Sequence, residues 1–161
     1  MNAIELLESQ HREVENLFSQ IEGTRDSDEK DRLFIELADR LAVHTSIEEH
    51  HFYPAVKAQQ TEQILLESLE EHLGVKRVLS DLLDTETEDE TFGAKLKVLK
   101  DLVSHHVEEE EGTLFPKVAK LLDGDELEAL GQTMSAEQAE LEDKGSPHES
   151  VPAETEKAAT I

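Results

Sequence analysis

Two stretches of this chain carry the same pattern 62 residues apart, and it is the pattern of a helix with polar groups set into its apolar face. Leu37 aligns with Leu99, Leu41 with Val103, His44 with His106, Glu48 with Glu110, Glu49 with Glu111, Pro54 with Pro116 and Val56 with Val118. The stretches preceding them align at an offset of 61, with His11 on His72, Val14 on Val75, Leu17 on Val78 and Ser19 on Ser80. The chain is therefore two copies of one helical hairpin, each with a lone His followed by a His-x-x-x-Glu. Copies of this kind predict a pseudo-two-fold molecule with two matched half-sites facing each other.

Apolar residues recur at helical spacing almost throughout. Ile4, Leu7, Val14, Leu17, Phe18 and Ile21 predict a first helix ending near Gly23, and Ser27 or Asp28 is a suitable N-cap for the next. The second stripe, from Leu33 through Leu37, Leu41 and Ile47, continues past Pro54 to about Ala58, with Pro54 expected to kink or narrow the helix. Leu65 to Leu83 predicts a third helix. Thr87-x-x-Glu90 reads as a capping box for a fourth, which runs from Leu96 to Leu121. A shorter fifth follows Asp123-Gly124-Asp125. From Gly145 onward the chain has two Pro and almost no large apolar residues. The expected architecture is all-α: an up-down-up-down four-helix bundle with a short fifth helix over residues 1–142, then a disordered acidic tail over 143–161.

Composition narrows the function. Asp and Glu number 39 against 15 Lys and Arg, a net charge of −24 that repels nucleic acid phosphates and anionic lipid and attracts cations. Nucleic acid and membrane partners are therefore not expected. No Cys is present, which removes disulfides, thiolate zinc sites and iron–sulfur clusters. No stretch approaches the roughly 20 apolar residues of a membrane span, and the first residues lack a basic segment leading into an apolar run. A soluble, cytoplasmic protein is the expectation.

The eight His residues then carry the argument. His11 falls between Leu7 and Val14, His44 three after Leu41, His72 between Leu69 and Val75, and His106 three after Val103, so all four face the core. A spacing of four turns a helix by about 400° and rises about 6 Å, which stacks Glu48 on His44 and Glu110 on His106. Comparable helix lengths on the two sides of each hairpin turn bring all six residues to one level. Burying two carboxylates and four imidazoles without a cation costs several kcal/mol per charge. The six residues His11, His44, Glu48, His72, His106 and Glu110 are accordingly the candidate metal ligands. Four nitrogens and four carboxylate oxygens suffice for two ions with Glu48 and Glu110 as bridges. Imidazole and carboxylate without thiolate suit iron or manganese, and octahedral ions keep positions open for water, an oxo or hydroxo bridge, or a small ligand.

The order His11 … His44-x-x-x-Glu48 … His72 … His106-x-x-x-Glu110, with Tyr-Pro and Phe-Pro after the two pairs, resembles the hemerythrin-like HHE cation-binding domain over about residues 1–142. The resemblance implies a non-haem di-iron centre that reacts with or senses O₂, peroxide or NO, with an unknown reductant or protein partner. Non-catalytic iron storage or oxygen carriage is one alternative, and a metal-free helical interaction module is another. Oxygen carriers of this family have a second His four residues after the His of the third helix, where this chain has Lys76. They also space an Asp five from its His, where Glu110 is spaced four. Both departures point toward redox turnover or sensing.

Several residues remain open on sequence alone. His105 also has a Glu four on, Glu109, but the Pro54/Pro116 alignment favours the His106 register. His51 shares the His44 face about 10 Å along the axis and is expected to be solvated or capping. His50 and His148 are expected in solvent, and Glu108, Glu109 and Glu111 on a solvated face. Glu15 is a candidate to hold the His11 ring. Tyr53, turned away from His44 by ordinary helical geometry, is expected to pack beside Pro54.

Overall fold

The computed structural model describes all residues, Met1–Ile161, and is helical without strands. Helix α1 spans Ala3–Gly23, and its N-terminus is closed by a capping box between Asn2 and Glu5. Helix α2 spans Ser27–Ile47 and is capped by Asp26, whose carboxylate accepts from the Asp28 and Glu29 amides. The cap thus lies just ahead of the expected Ser27 or Asp28. Helices α4 (Glu62–Leu83) and α5 (Phe92–Glu109) form the second hairpin. The expected Thr87 capping box is absent. Thr87 donates instead to Asp31, while Asp89 accepts from the Thr91 amide and hydroxyl at the start of α5.

Neither long stripe narrows at its proline. After α2 the backbone widens into a π turn over Glu48–Phe52, followed by one short α turn, α3 (Tyr53–Ala55). After α5 the same happens over Glu110–Leu114, followed by α6 (Phe115–Leu121). Proline has no amide proton and crowds the carbonyl four residues back. A π turn lets Tyr53 N–H reach Glu48 C=O and Phe115 N–H reach Glu110 C=O, five residues back, just before each proline.

Helix α7 (Gly124–Lys144) is as long as α1, not shorter, and packs against α1 and α2. Gly131 makes this contact possible, since a Cβ there would sit 2.5 Å from the Met1 carbonyl oxygen and 2.9 Å from the Ala3 nitrogen. The tail is not disordered. It folds into a 3₁₀ segment over Pro147–Glu154 against α2 and α4, and it buries Val151 in the core. Arg77 donates to the Thr155 and Glu156 carbonyls, and His148, expected in solvent, is mostly buried against Asp39. No helix is long and apolar enough to cross a membrane.

The core has two apolar clusters. One holds Val14, Leu41, Val75 and Val103, and the other Leu7, Ile47, Leu69 and Leu114. On each helical arm, the residues expected to bind metal lie near where one cluster gives way to the other. The sequence order of the clusters reverses from α1 to α2 and from α4 to α5. A polar layer therefore divides an otherwise apolar interior.

Candidate metal centre

That layer contains all six expected residues, and every one is buried: His11, His44, Glu48, His72, His106 and Glu110 are each 5% exposed or less. Their donor atoms form two groups of four, His11–His44–Glu48–Glu110 and Glu48–His72–His106–Glu110, each within 4.8 Å. The two carboxylates belong to both groups. This is the arrangement expected of bridging ligands between two cation positions.

Each imidazole is held from behind. His11 Nδ1 donates to Glu111 (2.8 Å), His44 Nδ1 to Gln10 Oε1 (2.8 Å), His72 Nδ1 to Glu49 (2.7 Å) and His106 Nδ1 to Glu71 (3.1 Å). An acceptor on Nδ1 fixes the ring and turns Nε2 inward, the usual way a protein orients a metal-ligating His. The holding residues follow the repeat. Glu49 and Glu111 align at 62, each clasping the lone His of the other hairpin, while Gln10 and Glu71 align at 61, each clasping the paired His of its own. The acceptor on His11 is Glu111, expected on a solvated face, and not Glu15, whose side chain is 52% exposed beside Arg12.

Fixed cations back two of these clasps. Lys76, at the position of the carriers' additional His, is buried and donates to both Glu49 oxygens (2.8 and 3.0 Å) and to Glu154 of the tail (3.0 Å). Arg12 pairs with Glu111. The Lys76 ammonium is thus committed outward and offers the centre no ligand.

Tyr53 lies in the centre and does not simply pack beside Pro54. Its hydroxyl is 3.2 Å from Glu48 Oε2, 3.1 Å from Glu110 Oε1 and 3.1 Å from His72 Nε2. The π turn is the reason: an i→i+5 bond sets Tyr53 over Glu48, which an α-helix would not do. Its repeat partner Phe115 stacks on His11 at 6.0 Å, as Tyr53 packs on His72 at 5.4 Å.

The electrostatics of the two halves differ. Burial holds the His44 ring down at about 4 and lowers His11, outweighing the pull of Glu48 on both. Burial also opposes charge on His72 and His106, but carboxylates prevail there. Glu110, Glu48 and Glu71 hold His106 well above its ordinary value, and Glu48 and Glu49 raise His72. Despite its burial, Glu48 is held well below the carboxylate range by His44, His106 and His72, while burial and the charge of Glu48 raise Glu110. Burial and both carboxylates push the Tyr53 phenol well up.

Four buried polar atoms have no hydrogen-bond partner: His11 Nε2, His44 Nε2, Glu48 Oε1 and Glu110 Oε2. His44 Nε2 is 3.3 Å from Glu48 Oε2 but not aligned for a hydrogen bond. Unsatisfied buried groups are rare and each needs an explanation. The four residues that carry these atoms make up one of the two donor groups, and a cation bound among them would supply the missing partner.

The other expected positions resolve clearly. His105 is on the outside, 63% exposed beside Glu71 and Glu109. His50 and His51 both meet Glu137 of α7, so His51 ties α7 to the first π turn and takes no part in the centre.

Comparison with known proteins identifies the family. The profile of the Hemerythrin HHE cation binding domain family matches residues 2–118. The chain belongs to this family. Rv2633c, an uncharacterized protein of Mycobacterium tuberculosis, is 30% identical over 149 residues, 91% of this chain and 90% of that protein. A DNA nickase of Nostoc sp. is 24% identical over 144 residues, and this chain spans only 41% of its length. The crystal structure of an HHE cation-binding domain-containing protein from Mycobacterium kansasii, an Rv2633c homolog, superposes with a TM-score of 0.79. It covers 93% of this chain and 99% of its own at 28% identity.

Proposed function

We propose that this protein holds two iron ions between His11, His44, Glu48, His72, His106 and Glu110, with Glu48 and Glu110 as bridges, inside an up-down-up-down four-helix bundle. The centre reacts with or senses a small oxidant: O₂, peroxide or NO. The observation that carries the reading is the set of unpartnered inward atoms, with four imidazoles already fixed from behind by Nδ1 acceptors. When bound, the iron supplies the affinity for oxidants and the one-electron redox chemistry.

The chain's own residues define what reaches the centre. A cavity of about 20 Å³ beside the four imidazoles is lined by Val14, Leu41, Val75, Val103 and Val107. That is room for one water-sized molecule, which suits a diatomic or peroxide and excludes organic substrates. The Tyr53 hydroxyl holds a proton between Glu48 and Glu110, and its raised pKa keeps the proton there at neutral pH. The outward commitment of Lys76 supports turnover or sensing over reversible carriage. With a net charge of −24, nucleic acid is not among the proposed substrates, and a cytoplasmic location forms part of the reading.

The test is to purify the chain with iron, count metal per chain, and follow the visible spectrum through reduction, O₂ exposure and deoxygenation. Two irons per chain, with irreversible oxidation and rapid loss of added H₂O₂, are expected of an enzyme. A spectrum that returns on removing O₂ supports carriage or sensing. His106→Ala costs most of the metal. A chain that takes up no iron refutes the reading.

A further inference from the structure

The His105-x-x-x-Glu109 motif repeats the ligand spacing of the interior one residue out of phase, and it faces solvent. Glu71 meets it from α4. His105 Nε2 lies 3.2 Å from Glu71 Oε2 and 3.6 Å from Glu109 Oε1, and donor atoms of the three residues fall within 4.8 Å of one another.

Glu71 is the unusual member. Its Oε1 accepts from His106 Nδ1 while Oε2 turns outward. The carboxylates that clasp His11 and His72 are each backed by a fixed cation, Arg12 on Glu111 and Lys76 on Glu49. Glu71 has no Lys or Arg at ion-pair distance, and its nitrogen partners are His105 and His106 alone. The repeat makes the contrast sharper. Glu71, His105 and Glu109 align with Gln10, Val43 and Ile47 in the first half. There α7 covers the flank, Gln10 donates to Gln138, and Val43 and Ile47 are buried. On the open flank all three positions carry metal-ligating side chains.

We propose that Glu71, His105 and Glu109 form a third cation site, open to solvent, for a first-row divalent ion of the class that takes imidazole and carboxylate. The ion supplies the counter-charge for Glu71 that Arg12 and Lys76 supply elsewhere. The strongly acidic surface raises the local cation concentration at this flank. Three protein ligands leave the remaining positions to water, so the ion exchanges freely and binds more weakly than an interior one.

The inference stands apart from the identity of the interior metal, and its test keeps the two separate. The full chain, loaded with iron, is titrated calorimetrically with Co²⁺. One additional Co²⁺ per chain is expected, with affinity at least tenfold weaker in His105→Ala and in Glu109→Ala, both of which retain the wild-type iron content. His105 is exposed, so its truncation leaves the fold intact. If the chain does not load iron, the metal-free protein is titrated instead, and His105→Ala still takes up one Co²⁺ fewer. Equal Co²⁺ uptake by the wild type and His105→Ala overturns the third site, as does loss of iron from His105→Ala, which would place His105 in the interior set.

Discussion

Lys76 and Glu49 offer the most discriminating test of how this polar layer is balanced. Both side chains are nearly inaccessible, at 6% and 5% exposure, and they meet through two short hydrogen bonds. Replacing Lys76 by Met keeps the apolar stem and removes the ammonium, leaving Glu49 buried with only His72 Nδ1 as partner. Removing one member of a buried pair costs about 3–5 kcal/mol. The surviving His72 bond places this case near the lower end, about 3 kcal/mol. For a chain of this length each kcal/mol lowers Tm by about 2–4 °C, so a fall of about 6–12 °C is expected. The double variant K76M/E49Q removes both charges together and should recover to within about 1 kcal/mol of wild type, since a neutral pair has no ion to desolvate. Glu49→Gln alone should be milder, because Lys76 keeps the half-exposed Glu154. The assay is thermal unfolding by far-UV circular dichroism with metal removed by chelator, because a bound ion would add its own stabilisation. A double variant that loses the sum of the single losses would refute the coupling on which the argument rests.

Two further outcomes follow from burial. His44, held down at about 4 against an ordinary 6.5, takes up no proton in the folded chain through a window where the unfolded chain does, so its contribution to stability drains away as pH falls from 6.5 toward 4. In metal-free protein, His44→Gln should flatten that acid-side loss relative to wild type in denaturant melts, the opposing effects of His72 and His106 being common to both; parallel profiles would contradict it. Gly131→Ala forces a Cβ into the Met1 and Asn2 backbone at 2.5 and 2.8 Å, where no side chain can swing away. Overpacking of this kind costs about 1–3 kcal/mol, read as a lower Tm, and an unchanged Tm would mean that α1 and α7 are not in firm contact.

The six inward residues were legible because two independent signals agreed, the 3.6-residue periodicity and the repeat at 61 and 62. Tyr53 was not, because its expected direction assumed an unbroken α-helix, whereas the π turn ahead of Pro54 adds a residue to the turn and brings the phenol inward. The recurrence of proline after each His-Glu pair was the available signal for that widening. Glu49 and Glu111 stood in the alignment, but which His each would hold depends on how the two hairpins dock, and spacing along one helix does not specify that. Gln10 and Glu71 also fall at matching positions and were hidden by their ordinary polar character. The order of the tail was not legible because only one fully buried apolar residue, Val151, anchors it, helped by partly buried Ala158, Ala159 and Ile161, a charge contact to Lys76 and backbone contacts to Arg77.

The reciprocal clasp, in which Glu49 of one repeat holds His72 of the other while Glu111 holds His11, means that neither hairpin can complete its own lone His. Two identical subunits about a symmetry axis would trade these carboxylates in the same way, and every such exchange would then be bound to occur as a matched pair. Tandem fusion lifts that obligation. Tyr53 opposite Phe115, Gln10 opposite Glu71 and Lys76 opposite Glu15 are positions where the halves have diverged. A single chain can give its two half-sites unlike surroundings, which a homodimer cannot.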